Sequence, residues 1–191
     1  MTFSWTPHRF VGGALALDLA NSVILRHVRE KRLDRLADPG IAAAFPEAAS
    51  RLSAEGPLFG PFALPDAAET GQLLGLREAI DRHFRARIEG SEENPALLAD
   101  LLETIAAAIR GRPLRGNLLS ATARSALRLL SEAESGRMKI CGHCGWLFLD
   151  RSRNRSRTWC DMSVCGNREK ASRHYRARRK RQDEPGEDTD G

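Results

Sequence analysis

Cys141, Cys144, Cys160 and Cys165 are the only cysteines in the 191-residue chain. Two thiols at i and i+3 fit a tight turn whose backbone amides face the sulfurs, half of a tetrahedral all-thiolate site. Gly142 and Gly145 supply the permissive backbone of such a turn. The second pair, fifteen residues further on, completes four ligands and closes a loop too small to fold by burial alone. A disulfide framework belongs to a secreted context, and a redox Cys-x-x-Cys expects a βαβ unit and leaves the second pair idle. The spacing therefore predicts one structural zinc per chain on these four residues. Four thiolates leave no position for water, and no Gly-rich phosphate loop, Ser-His-Asp set or paired carboxylates stand out. The chain does not read as an enzyme. His143, between the first pair, and His174, nine residues past Cys165, stay outside the ligand set.

The formal net charge of +5 conceals a partition. Residues 1–136 carry 16 Lys/Arg against 17 Asp/Glu, residues 137–181 carry 14 against 3, and residues 182–191 carry none against 5. The polycationic segment is also the one that holds every cysteine, which points to a polyanion partner. Arg151, Arg153, Asn154, Arg155 and Arg157 lie in a stretch that alternates arginine with Ser or Asn and cannot be a core strand. Arg168, Lys170, Arg173 and Arg176 lie along a helix that starts around Cys165, with Ala171 and Tyr175 expected to seat it on the zinc core. Such cations neutralise phosphates and release counterions, and arginine can also read guanine in the major groove. Asn167 and Arg168 have a competing structural use, capping the helix or bonding the ligand sulfurs. Double-stranded DNA is the first partner; RNA stacked on Trp146, Trp159 or Tyr175, and a zinc-stabilised protein-interaction module, remain alternatives. A homodimer would suit symmetric DNA, although no heptad stretch supports one.

Along the chain, 12–28 reads as a largely buried helix containing Asp18 and Asn21, three apart. These two either line a small-ligand pocket or form a hydrogen-bonded pair that fixes helix packing. Prolines and glycines break 39–65 into loops with a short helix near 46–54. Asp66 and Asn94-Pro95 cap two long helices, and Ser120 to about Glu134 forms another with Ala123, Leu127 and Leu130 inward. Met138–Ile140 and Trp146–Leu149 are short strands flanking the first cysteine pair. Asp150 and Asp161 brace nearby arginines, and Trp159 covers the metal. The expected architecture is a mainly α N-terminal domain (1–136), an α+β zinc-binding module of knuckle, hairpin and basic helix (137–181), and an acidic, disordered tail (182–191). No apolar run reaches the ~20 residues of a membrane span, and no secretory signal is apparent, so a cytoplasmic protein without membrane contact is expected.

The segment Cys141-x2-Cys144, Leu147-Phe148-Leu149-Asp150, Ser152-Arg153-Asn154, Arg157-Thr158-Trp159-Cys160-Asp161-Met162 and Cys165-Gly166-Asn167-Arg168-x-Lys170 closely resembles the bacterial CGNR zinc-finger family. Phe10-x2-Gly13 and Leu17-Asp18-Leu19-Ala20-Asn21-Ser22 resemble the ABATE-type helical region that accompanies it. The resemblance implies a stress-linked bacterial transcription regulator: a zinc-bound DNA-binding module on the four cysteines, behind a helical domain for regulation or sensing of a small-molecule effector. Thr158 departs from the arginine common before the Trp-Cys pair, and Ser22 from the usual threonine.

Overall fold

The computed structural model describes residues 3–90, 94–131 and 136–183, with the side chains of 177 and 180–183 excepted. The acidic tail from 184 onward lies outside the described residues, and Gln182 and Asp183 continue the last helix.

Helix starts follow the caps read from the sequence. Asp66 accepts from the Glu69 amide at the head of a helix over Ala67–Ile88, and Asn94 accepts from Ala96 and Leu97 ahead of Pro95–Ile109. Each satisfies amides that have no partner inside the helix. Asp38 does the same for Pro39–Leu52, which begins earlier than the proline count suggests: Pro39 sits in the first turn, where no amide is needed, and Pro46 lies within the helix. Burial of Phe45, Ala48 and Ala49 on one face holds that helix together despite Pro46. Asn117, three residues before Ser120, caps Leu118–Leu129, and the side of the helix packed into the core carries Leu118, Thr122, Ala126 and Leu129, which leaves Leu127 exposed instead of inward.

The helix expected over 12–28 is six residues long. In chain order the elements are α1 (Leu15–Ala20), β1 (Val23–Ile24), β2 (Leu33–Asp34), α2 (Pro39–Leu52), α3 (Gly56–Phe59), α4 (Ala67–Ile88), α5 (Pro95–Ile109), α6 (Leu118–Leu129), β3 (Met138–Ile140), β4 (Leu147–Leu149) and α7 (Asn167–Asp183). All six residues of α1 are buried, which explains an apolar pattern on every side. It ends at Asn21 because the chain turns into β1, antiparallel to β2 with Val23 opposite Asp34. Tertiary pairing overrides the local period.

Antiparallel β3 and β4 pair Met138 with Leu149 and Ile140 with Leu147. Successive residues of a strand face opposite ways. Leu147 and Leu149 join the helical core with Met138, whereas Phe148 packs with the cysteines. The free edge of β4 is closed from the N-terminal region. The Asn21 side chain donates to the Leu147 carbonyl at 2.9 Å and accepts from the Leu147 amide at 2.9 Å, and the Leu149 amide donates to the Gly12 carbonyl.

Asp18 is buried among protein donors, accepting from the Gly12 amide at 2.9 Å and Ser53 Oγ at 2.7 Å. Glu55 takes the Leu15 amide at 2.9 Å, and Ser125 Oγ the Ala16 amide at 2.9 Å, so side chains from distant segments cap α1. Burial pushes the Asp18 carboxyl up to about 8; hydrogen bonds from Ser53 and the Gly12 amide oppose the rise, and the Glu55 charge adds to it.

Asn21→Ala removes both bonds and leaves a buried amide and carbonyl of Leu147 unpaired, so a loss of about 2–4 kcal/mol is expected in urea denaturation. The folded state binds the Asp18 proton more tightly than the unfolded chain does. Its stabilising contribution is therefore complete below the ordinary value of 3.8 and is lost as the pH rises to about 8. Asp18→Asn, which mimics the protonated carboxyl, should gain stability relative to wild type across that window, by at most about 1.4 kcal/mol per pH unit. A difference independent of pH would exclude this titration.

Candidate metal centre and basic surface

The turn joining β3 to β4 builds the first half of the cysteine cluster. The Cys141 amide donates to the Trp146 carbonyl at 2.8 Å and the Gly145 amide to the Cys141 carbonyl at 2.9 Å. Gly145 has a φ of +74°, a conformation open to glycine, and His27 lies where its Cβ would stand. Gly142 is required for space rather than for φ, because a Cβ there would be 2.9 Å from the Trp159 ring.

The second half comes from a single π-helical turn, Met162–Gly166. Asp161 heads it, accepting from the Ser163 and Val164 amides, while its carbonyl takes the Cys165 amide at 2.9 Å. Its other carboxylate oxygen meets His8 Nδ1 at 2.8 Å. Asp161 thus braces this turn and the N-terminal arm, not an arginine.

All four sulfurs lie within 4.8 Å of one another. Tetrahedral coordination with bonds of about 2.3 Å sets sulfurs about 3.8 Å apart. The Cys144–Cys160 and Cys160–Cys165 separations are 3.6 and 3.7 Å, and none of the four is in a disulfide. Hydrogen bonds from Cys144 and Cys160 drive the Cys141 thiol down, while the shared bond with Cys141 drives Cys144 up, the bonds with Cys141 and Cys144 drive Cys160 up, and burial does so for Cys165. A packed tetrad of this kind cannot ionise fully without a cation at its centre, so the donor set fits a thiophilic divalent metal. Trp159 packs against the cluster as expected, and the histidines stay out of it. His143 Nδ1 instead lies 3.5 Å from Glu169 Oε2 in the first turn of α7.

The candidate nucleic-acid contacts separate into two kinds. Arg151 donates to the Gly13 carbonyl at 3.0 Å, and Arg157 donates to the Cys160 carbonyl with its guanidinium over the Phe148 ring, so both have structural partners. Arg153, Asn154 and Arg155 are exposed. Arg168, Lys170, Arg173 and Arg176 are exposed too; Arg176 reaches Ser172 at 2.9 Å and Glu169 at 3.8 Å. Asn167 donates to the Ser163 carbonyl at 2.9 Å, a capping role. Ala171 and Tyr175 do not seat α7: both are exposed, because the helix is polar all round and leaves the body after its first turn.

Asp150 holds the arginine-rich loop. Fully buried, it accepts from Lys139 Nζ at 2.8 Å, the Ser152 amide at 3.0 Å, Ser152 Oγ at 2.6 Å and the Arg157 amide at 2.8 Å. Burial opposes its ionisation, but bonds from Lys139, Ser152 and the Arg157 amide hold the carboxyl well below the usual carboxylate range. Its partner among the cations is therefore Lys139, with the loop backbone in place of a guanidinium.

Sequence reasoning misses the residues that seat the knuckle from outside. His27 abuts Gly145, Arg85 donates to the Gly145 carbonyl at 3.1 Å, and His8 and Arg35 face the Trp146 ring. Isolated residues carry no spacing signal. Asp18 and Asn21, the alternative pocket residues, have protein partners on both side-chain termini, and neither lines the 590 Å³ groove along α2 or the 220 Å³ apolar cavity between α2 and α4.

Asp150→Ala should cost about 3 kcal/mol in chemical denaturation, since it takes the carboxylate from Lys139, leaving that cation only the Arg155 and Arg157 carbonyls, and strands three loop donors together. A loss under about 0.5 kcal/mol, the level of an ordinary surface substitution, would show that the loop is held by other contacts.

Comparison with family models matches residues 137–179 to the CGNR zinc finger and residues 13–133 to ABATE, described as "Putative stress-induced transcription regulator". Comparison with curated proteins finds no match. The matched families are of regulator and zinc-finger type, and no helix among the described residues is long and apolar enough to cross a membrane. With the helical body and the four-cysteine cluster in the order those two models require, the chain belongs to the ABATE family and carries a CGNR zinc finger at its C-terminal end.

Proposed function

We propose that the chain is a cytoplasmic, zinc-dependent DNA-binding transcription regulator, with one zinc held by Cys141, Cys144, Cys160 and Cys165. The observation that carries this reading is α7. Its residues Arg168, Lys170 and Arg173 are exposed with no carboxylate partner among the described residues, and the helix starts two residues after Cys165. A helix with no apolar face gains nothing from packing on its own body, but a row of cations suits the backbone of a duplex.

The metal would supply structure alone, since four thiolates leave no open coordination position. Its part is to join the knuckle to the turn at Met162–Gly166 and so fix where α7 begins. Arg153, Asn154 and Arg155 form a second exposed group on the loop that Asp150 holds. Arg151 and Arg157, with their backbone partners, position this loop more than they contact DNA.

The test combines metal analysis with selection of bound duplexes from a random pool, with and without chelator. About one zinc per chain and a chelator-sensitive motif are expected. Replacing Arg168, Lys170, Arg173 and Arg176 with alanine should flatten the dependence of log affinity on log salt by roughly 3 to 4, near 0.9 for each phosphate left without its cation. Equal binding by the variant would exclude α7 as the interface, and preference for structured RNA over duplex DNA in competition would move the reading to RNA.

A further inference from the structure

Two arginines of the helical body are more than nine-tenths buried, and their surroundings are opposite. Arg77 forms a bidentate pair with Asp34 at 2.7 Å on both nitrogens, with Glu78 at 2.8 Å and Ser22 at 3.2 Å. Arg35, only 8% exposed, has no carboxylate partner among the described residues. Its Nε and Nη1 are both shielded from solvent with no hydrogen-bond partner. The acids beside it in sequence are committed elsewhere: Asp34 to Arg77, and Asp38 to the amides that open α2.

What surrounds Arg35 is aromatic and cationic. Its guanidinium lies over the Phe3 ring at 5.0 Å and the Trp146 ring at 5.8 Å. Arg9 lies over the same Phe3 ring at 4.6 Å. Trp146 contributes a second orphan, because its Nε1 is buried and also has no hydrogen-bond partner. Trp5, by contrast, donates its Nε1 to the Ile41 carbonyl at 3.0 Å. Asp161, whose carboxylate meets the His8 that lies against Trp146, is held by that contact and by its own turn.

Ring faces offset part of the cost of burying a guanidinium, but they accept no hydrogen bond in its plane. Burial pushes the Arg35 guanidinium down to about 10, with the Arg9 charge adding to the effect. The orphaned donors of Arg35 and Trp146 stand beside two positive charges, and Arg9 Nε is the donor already in use, on the Ser4 carbonyl at 3.3 Å, an arrangement complementary to an anion.

We infer that Arg35, Arg9 and the indole N–H of Trp146 form a binding site for a small oxyanion, the carboxylate or phosphate group of a ligand. The site lies at the seam of three segments: the N-terminal arm through Phe3 and Arg9, the body through Arg35, and the knuckle through Trp146. Trp146 also packs with Cys141, Cys160 and Cys165, so an occupant touches the packing of the metal module directly. Planar guanidinium recognition suits carboxylate and phosphate equally, and the two sources are separable by titration.

The zinc-loaded full chain is titrated with sodium phosphate, sodium acetate and sodium benzoate, against sodium chloride at matched ionic strength. Melting temperature and isothermal calorimetry are the readouts. A saturable rise with phosphate alone assigns a phosphoryl group, and one with acetate or benzoate assigns a carboxylate. Arg35→Gln should weaken that binding about tenfold or more, the loss of a charged hydrogen-bonded pair. Trp146→Phe, which keeps a ring against the cysteines while removing the N–H, should weaken it several-fold and decides the matter if the Arg35 variant does not fold. The proposal is overturned if no oxyanion exceeds the chloride control, or if the folded variants bind as tightly as wild type.

Discussion

A three-residue strand has too little ladder of its own to hold a metal module against a helical body, and an unpaired edge on it would leave polar backbone buried. Both problems meet in β4. Its hydrogen bonds to β3 satisfy one edge, and the other edge meets Asn21 and Gly12, so that a side-chain carboxamide and a loop carbonyl stand in for a neighbouring strand. Its side chains then divide, Leu147 and Leu149 into the helical core and Phe148 towards the cysteines. The cysteine cluster is therefore not a bead on a linker. Its packing continues that of α1 and the helices around it, and anything that shifts β4 shifts both.

The same seam separates two electrostatic regimes. In the body, Arg35 and Arg9 apart, arginines that reach below the surface are matched by acids: Arg26 with Glu78 and Asp81, Arg77 with Asp34, Arg85 with Asp81, Arg112 with Glu69. Most of those pairs lie between elements distant in sequence, and all are partly or wholly buried, where geometry and desolvation matter more than in surface pairs. Beyond the knuckle, acids also work on backbone: Asp150 on the Ser152 and Arg157 amides beside its Lys139 partner, and Asp161 on Ser163 and Val164 beside His8. Arginines along α7 are left facing solvent as a result. Local acid is present but is committed to shaping the loops that carry them, which keeps the outward field positive.

Legibility in the sequence follows the range of the interaction that fixes each element. The four cysteines are readable because ligand spacing is local arithmetic, and the caps Asp66 and Asn94 because a cap needs only its own next three residues. Failures come where a distant partner decides. Asn21 ends α1 early for the sake of a backbone 126 residues away. Leu127 turns outward because packing on α1 and α5 selects the side of its helix that carries Leu118, Ala126 and Leu129. Tyr175 and Ala171 look like a seat for α7, yet both stay exposed and the helix meets the knuckle through a Glu169–His143 contact. Arg35 is invisible for the same reason, since an arginine so close to Lys31 and Arg32 reads as surface until the structure puts Phe3 and Trp146 on its faces.

Those long-range contacts converge on the knuckle, and that convergence would give metal binding its reach. Gly145 receives His27 from the β1–β2 loop and Arg85 from α4, Trp146 receives His8 and Arg35, and His143 meets the head of α7. None of these contacts is strong alone; ring stacking and a half-buried hydrogen bond are each worth about 1 kcal/mol. Their geometry is common property of the turn between Cys141 and Cys144, which has too few residues to hold its shape by burial. Ligation would fix that turn once and make all of them available together, so the free energy of binding the metal is spread over the arm, the β1–β2 loop, α4 and α7.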